Sequence, residues 1–220
     1  NFDGSYYGQT GSAEIPNNTP WTLNGSNDVK FTTTAAGSYT FIYNTSNKSI
    51  KVQYPTAYTV TYSRVPTAAA NAPTTSPSIS SGAYVLASTS VTFNAKAANT
   101  GYTWKGWYSN NTGTGNALST NLAYTRSITD NTIIYAVYTA NTYTVTLSNQ
   151  GATTAGTASV QATYGSGMPA ITPPTRDGYM FNGYYSQPSG QGTKYYNADG
   201  TSARTWNQEN ATLYAYWVDY

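Results

Sequence analysis

Three observations predict an all-β chain with at most short helices. The stretch Gly101-Tyr102-Thr103-Trp104-Lys105-Gly106-Trp107-Tyr108-Ser109 returns as Gly178-Tyr179-Met180-Phe181-Asn182-Gly183-Tyr184-Tyr185-Ser186. Apolar and polar residues alternate with a period of two in segment after segment, and a helical period never persists for three turns. Tyr occurs 23 times among 220 residues, alongside abundant Thr, Asn, Ser and Gly, a composition suited to strands and turns. The predicted architecture is an N-terminal β-meander or partial sandwich over 1–55, then two small related β units over 56–140 and 141–220.

The repeat extends beyond its central motif. Tyr58-Thr59-Val60-Thr61-Tyr62 answers Tyr143-Thr144-Val145-Thr146-Leu147, and Ile134-Tyr135-Ala136-Val137-Tyr138 answers Leu213-Tyr214-Ala215-Tyr216-Trp217. Two homologous units of about 80 residues therefore fill most of the chain.

In the N-terminal part, Val29 and Phe31, then Tyr39, Phe41 and Tyr43, then Ile50, Val52 and Tyr54 alternate with polar neighbours. That period predicts three strands with one buried face, turned at Ala36-Gly37-Ser38 and at Asn44-Thr45-Ser46-Asn47. Before it, Asn1 to Asn27 supports no more than short strands joined by turns. The first repeat opens with a strand at Tyr58 that breaks at Val65-Pro66. Thr67 to Ser81 is Ala, Pro, Thr and Ser, which predicts a long surface loop. Strands follow at Tyr84-Val85-Leu86, at Val91-Thr92-Phe93, through the central motif, over Leu122 to Ile128, and over Thr132 to Tyr138. The second repeat predicts strands at Thr142 onward, Ala158 to Tyr164, Tyr179 to Tyr185, Thr193 to Tyr196, and Ala211 to Trp217. Pro169, Pro173 and Pro174 forbid regular pairing between the second and third of these.

Composition excludes several function classes. Lys and Arg total 10 against 8 Asp and Glu, a net +2, with no basic block to displace counterions from a phosphate backbone. Nucleic acid and an anionic membrane surface are therefore not expected partners. Cys and His are both absent, which removes thiolate metal sites, disulfides and the usual general base, so no cofactor or metal is expected. No apolar run approaches the ~20 residues that cross a bilayer. The N-terminus shows no charged-then-apolar signal segment.

The second unit, with Tyr143-Thr144-Val145-Thr146, Tyr164-Gly165, Pro173-Pro174-Thr175-Arg176-Asp177-Gly178-Tyr179-Met180-Phe181-Asn182-Gly183-Tyr184-Tyr185 and Thr212 to Trp217, resembles the Listeria-Bacteroides repeat, also called the internalin B-repeat. Tyr184 stands where that family usually has Trp. The first unit, with Gly82-Ala83-Tyr84, Ser90 to Phe93, Gly101 to Trp107 and Ala117-Leu118-Ser119, is similar to a divergent form of the same repeat. The resemblance implies a small β-grasp sheet and tandem use in bacterial surface proteins as stalks or adhesive modules. It thus implies a secreted or cell-surface, Gram-positive origin and a monomer within a larger multidomain chain. The N-terminal part, through Tyr6-Tyr7-Gly8-Gln9-Thr10-Gly11, Asn27 to Phe31 and the hairpin Gly37 to Val52, is more loosely similar to the last strands of bacterial starch-binding modules. That resemblance implies starch or a related α-glucan as ligand.

A neutral glycan offers CH faces and hydroxyls, so its site needs exposed aromatic rings and a few amides or carboxylates. Trp104 and Trp217 fall at strand positions that read as core, and Trp206 aligns with Ile128 as a partly buried residue. Trp107 lies on the strand face opposite Trp104 unless Gly106 marks a bulge, and both binding and packing against a neighbouring unit remain open for it. Trp21 follows Pro20 in an Asn- and Thr-rich loop that no repeat explains, again with binding and local packing open. Tyr6 and Tyr7 are adjacent, so on a strand one of them faces outward. The expected glycan site is Trp21, Tyr6, Tyr7 and Trp107 stacking on sugar rings, with Asn24 and Asp28 accepting hydroxyl hydrogen bonds. The carboxylates form no recognisable glycosidase pair, which argues against an enzyme. The favoured expectation is a non-catalytic carbohydrate-binding module, and the alternative is a surface spacer or adhesin whose repeats bind a protein and no sugar.

Overall fold

A computed structural model describes residues 21–22, 40–46, 49–53 and 56–220. The strands are β1 (Trp21–Thr22), β2 (Thr40–Asn44), β3 (Ser49–Gln53), β4 (Ala57–Val65), β5 (Thr74–Ser76), β6 (Ala83–Leu86), β7 (Ser90–Asn94), β8 (Tyr102–Tyr108), β9 (Ala123–Ser127), β10 (Thr132–Ala140), β11 (Thr142–Ser148), β12 (Ser159–Thr163), β13 (Tyr179–Tyr185), β14 (Lys194–Tyr196) and β15 (Ala211–Asp219). Among the described residues the helical turns are two short 3-10 segments, Thr67–Ala69 and Pro188–Gly190. Among the described residues the fold is all-β, in four sheets. Contacts divide the chain into two compact units, Asn1–Ser63 with Thr74–Asn94 and Ala123–Ile134, and Arg64–Pro73 with Ala95–Leu122 and Tyr135–Tyr220.

The second repeat shows the sheet most completely, in the order β12-β11-β15-β13-β14. β11 and β15 run parallel, with Val145 opposite Ala211 and Leu147 opposite Leu213, while the other neighbours are antiparallel. This is the β-grasp order without its helix. The reason lies in 164–178, where Pro169, Pro173 and Pro174 remove donors and disfavour the α region before each proline, and Gly165 and Gly167 lower helix propensity. The crossover is held instead by backbone bonds to the loop that follows β14. Gly165 donates to the Trp206 carbonyl at 2.7 Å, Trp206 donates to Ser166 at 2.8 Å, and Ile171 donates to Gly200 at 3.2 Å. Met168 from this crossover joins Val145, Leu147, Ala162, Tyr184, Tyr195, Tyr196, Trp206, Leu213 and Ala215 in one buried cluster.

The first repeat builds β6-β4-β10-β8, the same order less one edge strand. Its equivalence to the second is carried by hydrogen bonds as well as by letters. Ala87 donates to the Thr56 carbonyl at 2.8 Å as Tyr164 does to Asn141 at 2.9 Å. Ser88 donates to Ile128 at 2.8 Å and Ile128 to Thr89 at 2.9 Å, repeating the Gly165, Trp206 and Ser166 pattern. Ile128 and Trp206 are accordingly both buried, Trp206 completely and not partly as its alignment suggests. Ser88 occupies its turn at φ 66, where the second repeat has Gly165 at φ 75. A side chain there costs roughly 1 kcal/mol, so Ser88→Gly raises the stability of the first repeat by about that amount in a denaturant titration.

The stretch Thr67 to Ser81, expected as loop, contains the 3-10 turn and β5. β5 pairs with β7, which pairs with β9, in a three-stranded sheet. Thr75 Oγ1 accepts from the Ile79 N–H at 2.9 Å and fixes the end of β5. In this sheet Phe93 is buried, edge-on to Tyr62 at 5.9 Å and stacked on Tyr124 at 6.4 Å.

In the N-terminal part β1-β3-β2 form a three-stranded sheet, with Trp21 opposite Ile50 and Phe41 opposite Val52. Asn44 Oδ1 accepts from the Ser46 N–H at 2.9 Å and closes the β2–β3 turn. Ser49 and Ile50 are buried, but Phe41, which the alternation places on the buried face, is 51% exposed, and Ile42 is 47% exposed. The strand expected around Val29 and Phe31 lies outside the described residues.

Candidate functional site

Of the residues expected to bind a glycan, Tyr6, Tyr7, Asn24 and Asp28 lie outside the described residues. Trp21 is described in its backbone alone, as the strand residue opposite Ile50. Trp107 is fully buried, and its indole N–H donates to the Leu122 carbonyl at 3.2 Å. It presents no face to a sugar, which corrects its assignment as a stacking platform.

The cause is a β-bulge at the centre of the repeated motif. In β8, Gly106 opposes Val137 while Trp104 opposes the next residue, Tyr138, so Lys105 is extra. In β13, Gly183 opposes Tyr216 while Phe181 opposes Trp217, and Asn182 is extra. One extra residue reverses the facing of everything beyond it. Trp107 thus comes to the same side as Trp104, edge-on at 5.7 Å, and Tyr184 to the side of Phe181 at 5.2 Å. The glycines make the bulge possible, with φ 146 at Gly106 and 132 at Gly183. Trp104 is half-buried against Tyr138 at 5.0 Å and donates to the Thr120 carbonyl at 2.7 Å. Trp217 is half-buried against Phe181 at 5.5 Å and donates to the Asn149 carbonyl at 3.2 Å.

Several of the described charged groups make simple contacts. Arg126 pairs with Asp130 at 3.1 Å on the surface, and Arg204 lies 5.8 Å from the Tyr195 ring centre. The Thr201 hydroxyl and N–H both donate to Asp199 and hold its carboxyl below the ordinary value. No group of three or more acidic residues that would hold a metal occurs among the described residues.

Two features remain that position side chains for contact with something else. The first is the junction between the repeats, where Asn141 alone separates β10 from β11. Asn141 donates its N–H to the Gly101 carbonyl at 2.8 Å and accepts from Tyr164 through its own carbonyl at 2.9 Å. Its side-chain oxygen accepts from the Thr103 hydroxyl at 2.6 Å, and its amide donates to the Tyr143 hydroxyl at 3.3 Å. The Tyr164 ring lies over Gly101, so close that a Cβ there would sit 2.3 Å from the ring, and meets Tyr102 edge-on at 5.5 Å. Tyr164 is therefore a plug from the second repeat seated on the first. In the sequence Tyr164 ends a strand and belongs to the repeat pattern, and its contrast with Ala87 at the same place in the first repeat is the signal of this role.

The second feature is an open groove of about 690 Å³ on the second repeat, lined by Pro173, Pro174, Arg176, Tyr179, Phe181 and Trp217 among others. Arg176 lies 4.0 Å over the Tyr179 ring at its rim, and Met180 is 45% exposed.

The Listeria-Bacteroides repeat domain model matches residues 58–137 and 143–216. The chain belongs to this bacterial repeat family. The two matched segments each contain a central bulge just described and leave Asn141 in the short gap between them. A curated relative is Internalin H of Listeria monocytogenes serovar 1/2a (strain ATCC BAA-679 / EGD-e), 35% identical over 115 residues, which are 52% of this chain and 19% of that protein. The match therefore spans about a fifth of that relative's length. No solved structure matches the chain.

The tyrosines at the repeat cores are set by burial. Burial pushes the Tyr184 hydroxyl up to about 12, and burial together with the neighbouring Tyr184 pushes Tyr196 up to about 12; burial also raises Tyr138. Tyr184 donates to Asn149 Oδ1 and Tyr196 to the Pro169 carbonyl, so both are held as neutral donors. In the unfolded chain these phenols ionise near pH 10, while in the fold they stay protonated to about 12. Stability is thus independent of these groups below pH 10 and falls as pH rises from 10 to 12. Denaturant midpoints measured between pH 8 and 12 fall above pH 10 in the wild type. Replacing Tyr184 and Tyr196 with Phe flattens that fall.

Proposed function

We propose that this chain is a non-catalytic repeat segment of a secreted or cell-surface bacterial protein, in which the two repeats are joined stiffly and act as a spacer. The observation that carries the reading is the junction, a single connecting residue with its backbone and side chain hydrogen-bonded on both sides and an aromatic plug seated over a glycine. A flexible tether has the opposite character, several small polar residues without fixed partners. Membership of the Listeria-Bacteroides repeat family and the Internalin H match support the surface setting. The test is backbone relaxation of the ¹⁵N-labelled chain. β8 with the end of β10, and the strands of the second repeat, tumble with one correlation time if the junction is stiff. Two distinct correlation times defeat the spacer reading.

A second reading, carbohydrate binding with starch or another α-glucan as ligand, is favoured by the aromatic, nearly uncharged surface and by the resemblance of the N-terminal part. Its site would be built from Trp21, Tyr6, Tyr7, Asn24 and Asp28, without Trp107. A native gel cast with amylopectin retards the chain under this reading, a gel with a β-glucan or no polysaccharide does not, and Trp21→Ala abolishes the retardation while leaving the fold intact. Equal mobility in all gels removes the α-glucan reading and leaves the spacer.

A further inference from the structure

We propose that Gly178, Tyr179, Met180 and Tyr220 form a docking face for a further repeat of the same kind, one that carries an aromatic residue at the place of Tyr164. The inference rests on the spacer reading and extends it from one junction to a series.

One surface occurs in the chain in two copies. Gly101-Tyr102-Thr103 and Asn141 in the first repeat correspond to Gly178-Tyr179-Met180 and Tyr220 in the second. The ladder fixes the correspondence, because Ala140 opposes Tyr102 as Asp219 opposes Tyr179. The two glycines have the same backbone, φ 84 at Gly101 and 78 at Gly178. Gly101 is buried under Tyr164, whereas Gly178 is exposed and an added Cβ would meet nothing within 4 Å. The same platform is occupied in one copy and open in the other.

The side chains around it change in the sense a contact requires. Where the covered face has the hydrogen-bonded pair Thr103 and Asn141, the open face has Met180 and Tyr220. Met180 is 45% exposed at the lip of the groove formed with Pro173, Pro174 and Trp217. Met180 and Tyr220, 88% exposed, thus offer apolar surface beside the open glycine. The chain itself shows which partner fits, since a Tyr at the end of the second strand of a following unit seats on the corresponding glycine.

The occupant's requirement is equally specific. At the place of Tyr164 the first repeat has Ala87, which is exposed and has no ring to offer. A repeat with Ala there has no plug, and one with Tyr has it, so that position distinguishes units that dock on a predecessor from units that do not.

The test uses the full chain followed by a second copy of residues 142–220, with M180L in the added copy so that one Met180 remains. Hydrogen peroxide oxidises exposed methionine, and Met168, 5% exposed, serves as the buried control in each copy. Oxidation of Met180 is expected to slow about tenfold on adding the copy, the scale of a surface that opens only a fraction of the time. Y164A in the added copy restores the fast rate. Amide exchange at Asn141 in the same sample reports the existing junction. A slow Asn141 with an unchanged Met180 rate overturns the docking face and leaves the spacer reading intact. A fast Asn141 overturns the spacer reading and the docking face with it.

Discussion

Gly183→Ala unfolds the second repeat or leaves it marginal. A Cβ at Gly183 would lie 2.1 Å from the Tyr196 carbonyl oxygen, and that carbonyl belongs to β14, the strand paired across from it. The backbone at φ 132 adds a conformation that L side chains rarely adopt. Neither the strand nor the angle can relax without losing the bulge, and losing the bulge turns Tyr184 and its buried partners outward. The cost is at least about 4 kcal/mol, among the largest that one substitution produces. Gly178→Ala is the internal control, because its φ is also positive but its Cβ enters open space. That change costs roughly 1 kcal/mol by backbone preference alone. Circular dichroism melts of the two variants separate the outcomes. Equal destabilisation would show that the bulge does not organise the repeat.

Trp206→Ala costs about 3 to 5 kcal/mol, the range for removing a large buried aromatic. Trp206 is completely buried, tilted against Tyr195 at 5.0 Å, and its backbone holds both Gly165 and Ser166. Its side chain pins the helix-free crossover to the sheet, so its loss opens the core at the edge from which Met168 enters. The indole N–H meets no hydrogen-bond partner. An unpaired buried donor costs about 1 to 3 kcal/mol, so Trp206→Phe regains part of what the smaller ring gives up and destabilises far less than alanine. Denaturant titration of the pair checks the order. A phenylalanine variant as unstable as the alanine one would mean that the indole nitrogen has a partner after all.

Much of the fold is legible because it is written twice. Tyr58 to Tyr62 and Tyr143 to Leu147 alternate cleanly, and the strands they form lie beside β10 and β15 in their sheets. Two things resisted reading for physical reasons. Thr74–Ser76 has no apolar period, and it becomes a strand because β7 supplies the pairing and Thr75 the end bond. Counting in twos puts Trp107 on the face opposite Trp104 unless Gly106 marks a bulge, and the count fails at Lys105 because the strand there carries one residue more than its partner. The recurring Gly106 and Gly183 were the available signal. The junction escaped for another reason. A plug is a relation between units, and the alignment that reveals the repeats hides a position, Ala87 against Tyr164, where they differ in what they touch.

The most direct test of a stiff junction exploits the absence of cysteine. Ser109→Cys and Glu209→Cys place exposed spin labels on opposite sides of Asn141, one from each repeat. The pulsed-resonance distance distribution between them is expected to be a single narrow peak that broadens when Tyr164→Ala is added. A distribution already broad in the parent chain, and unaltered by Tyr164→Ala, contradicts the account.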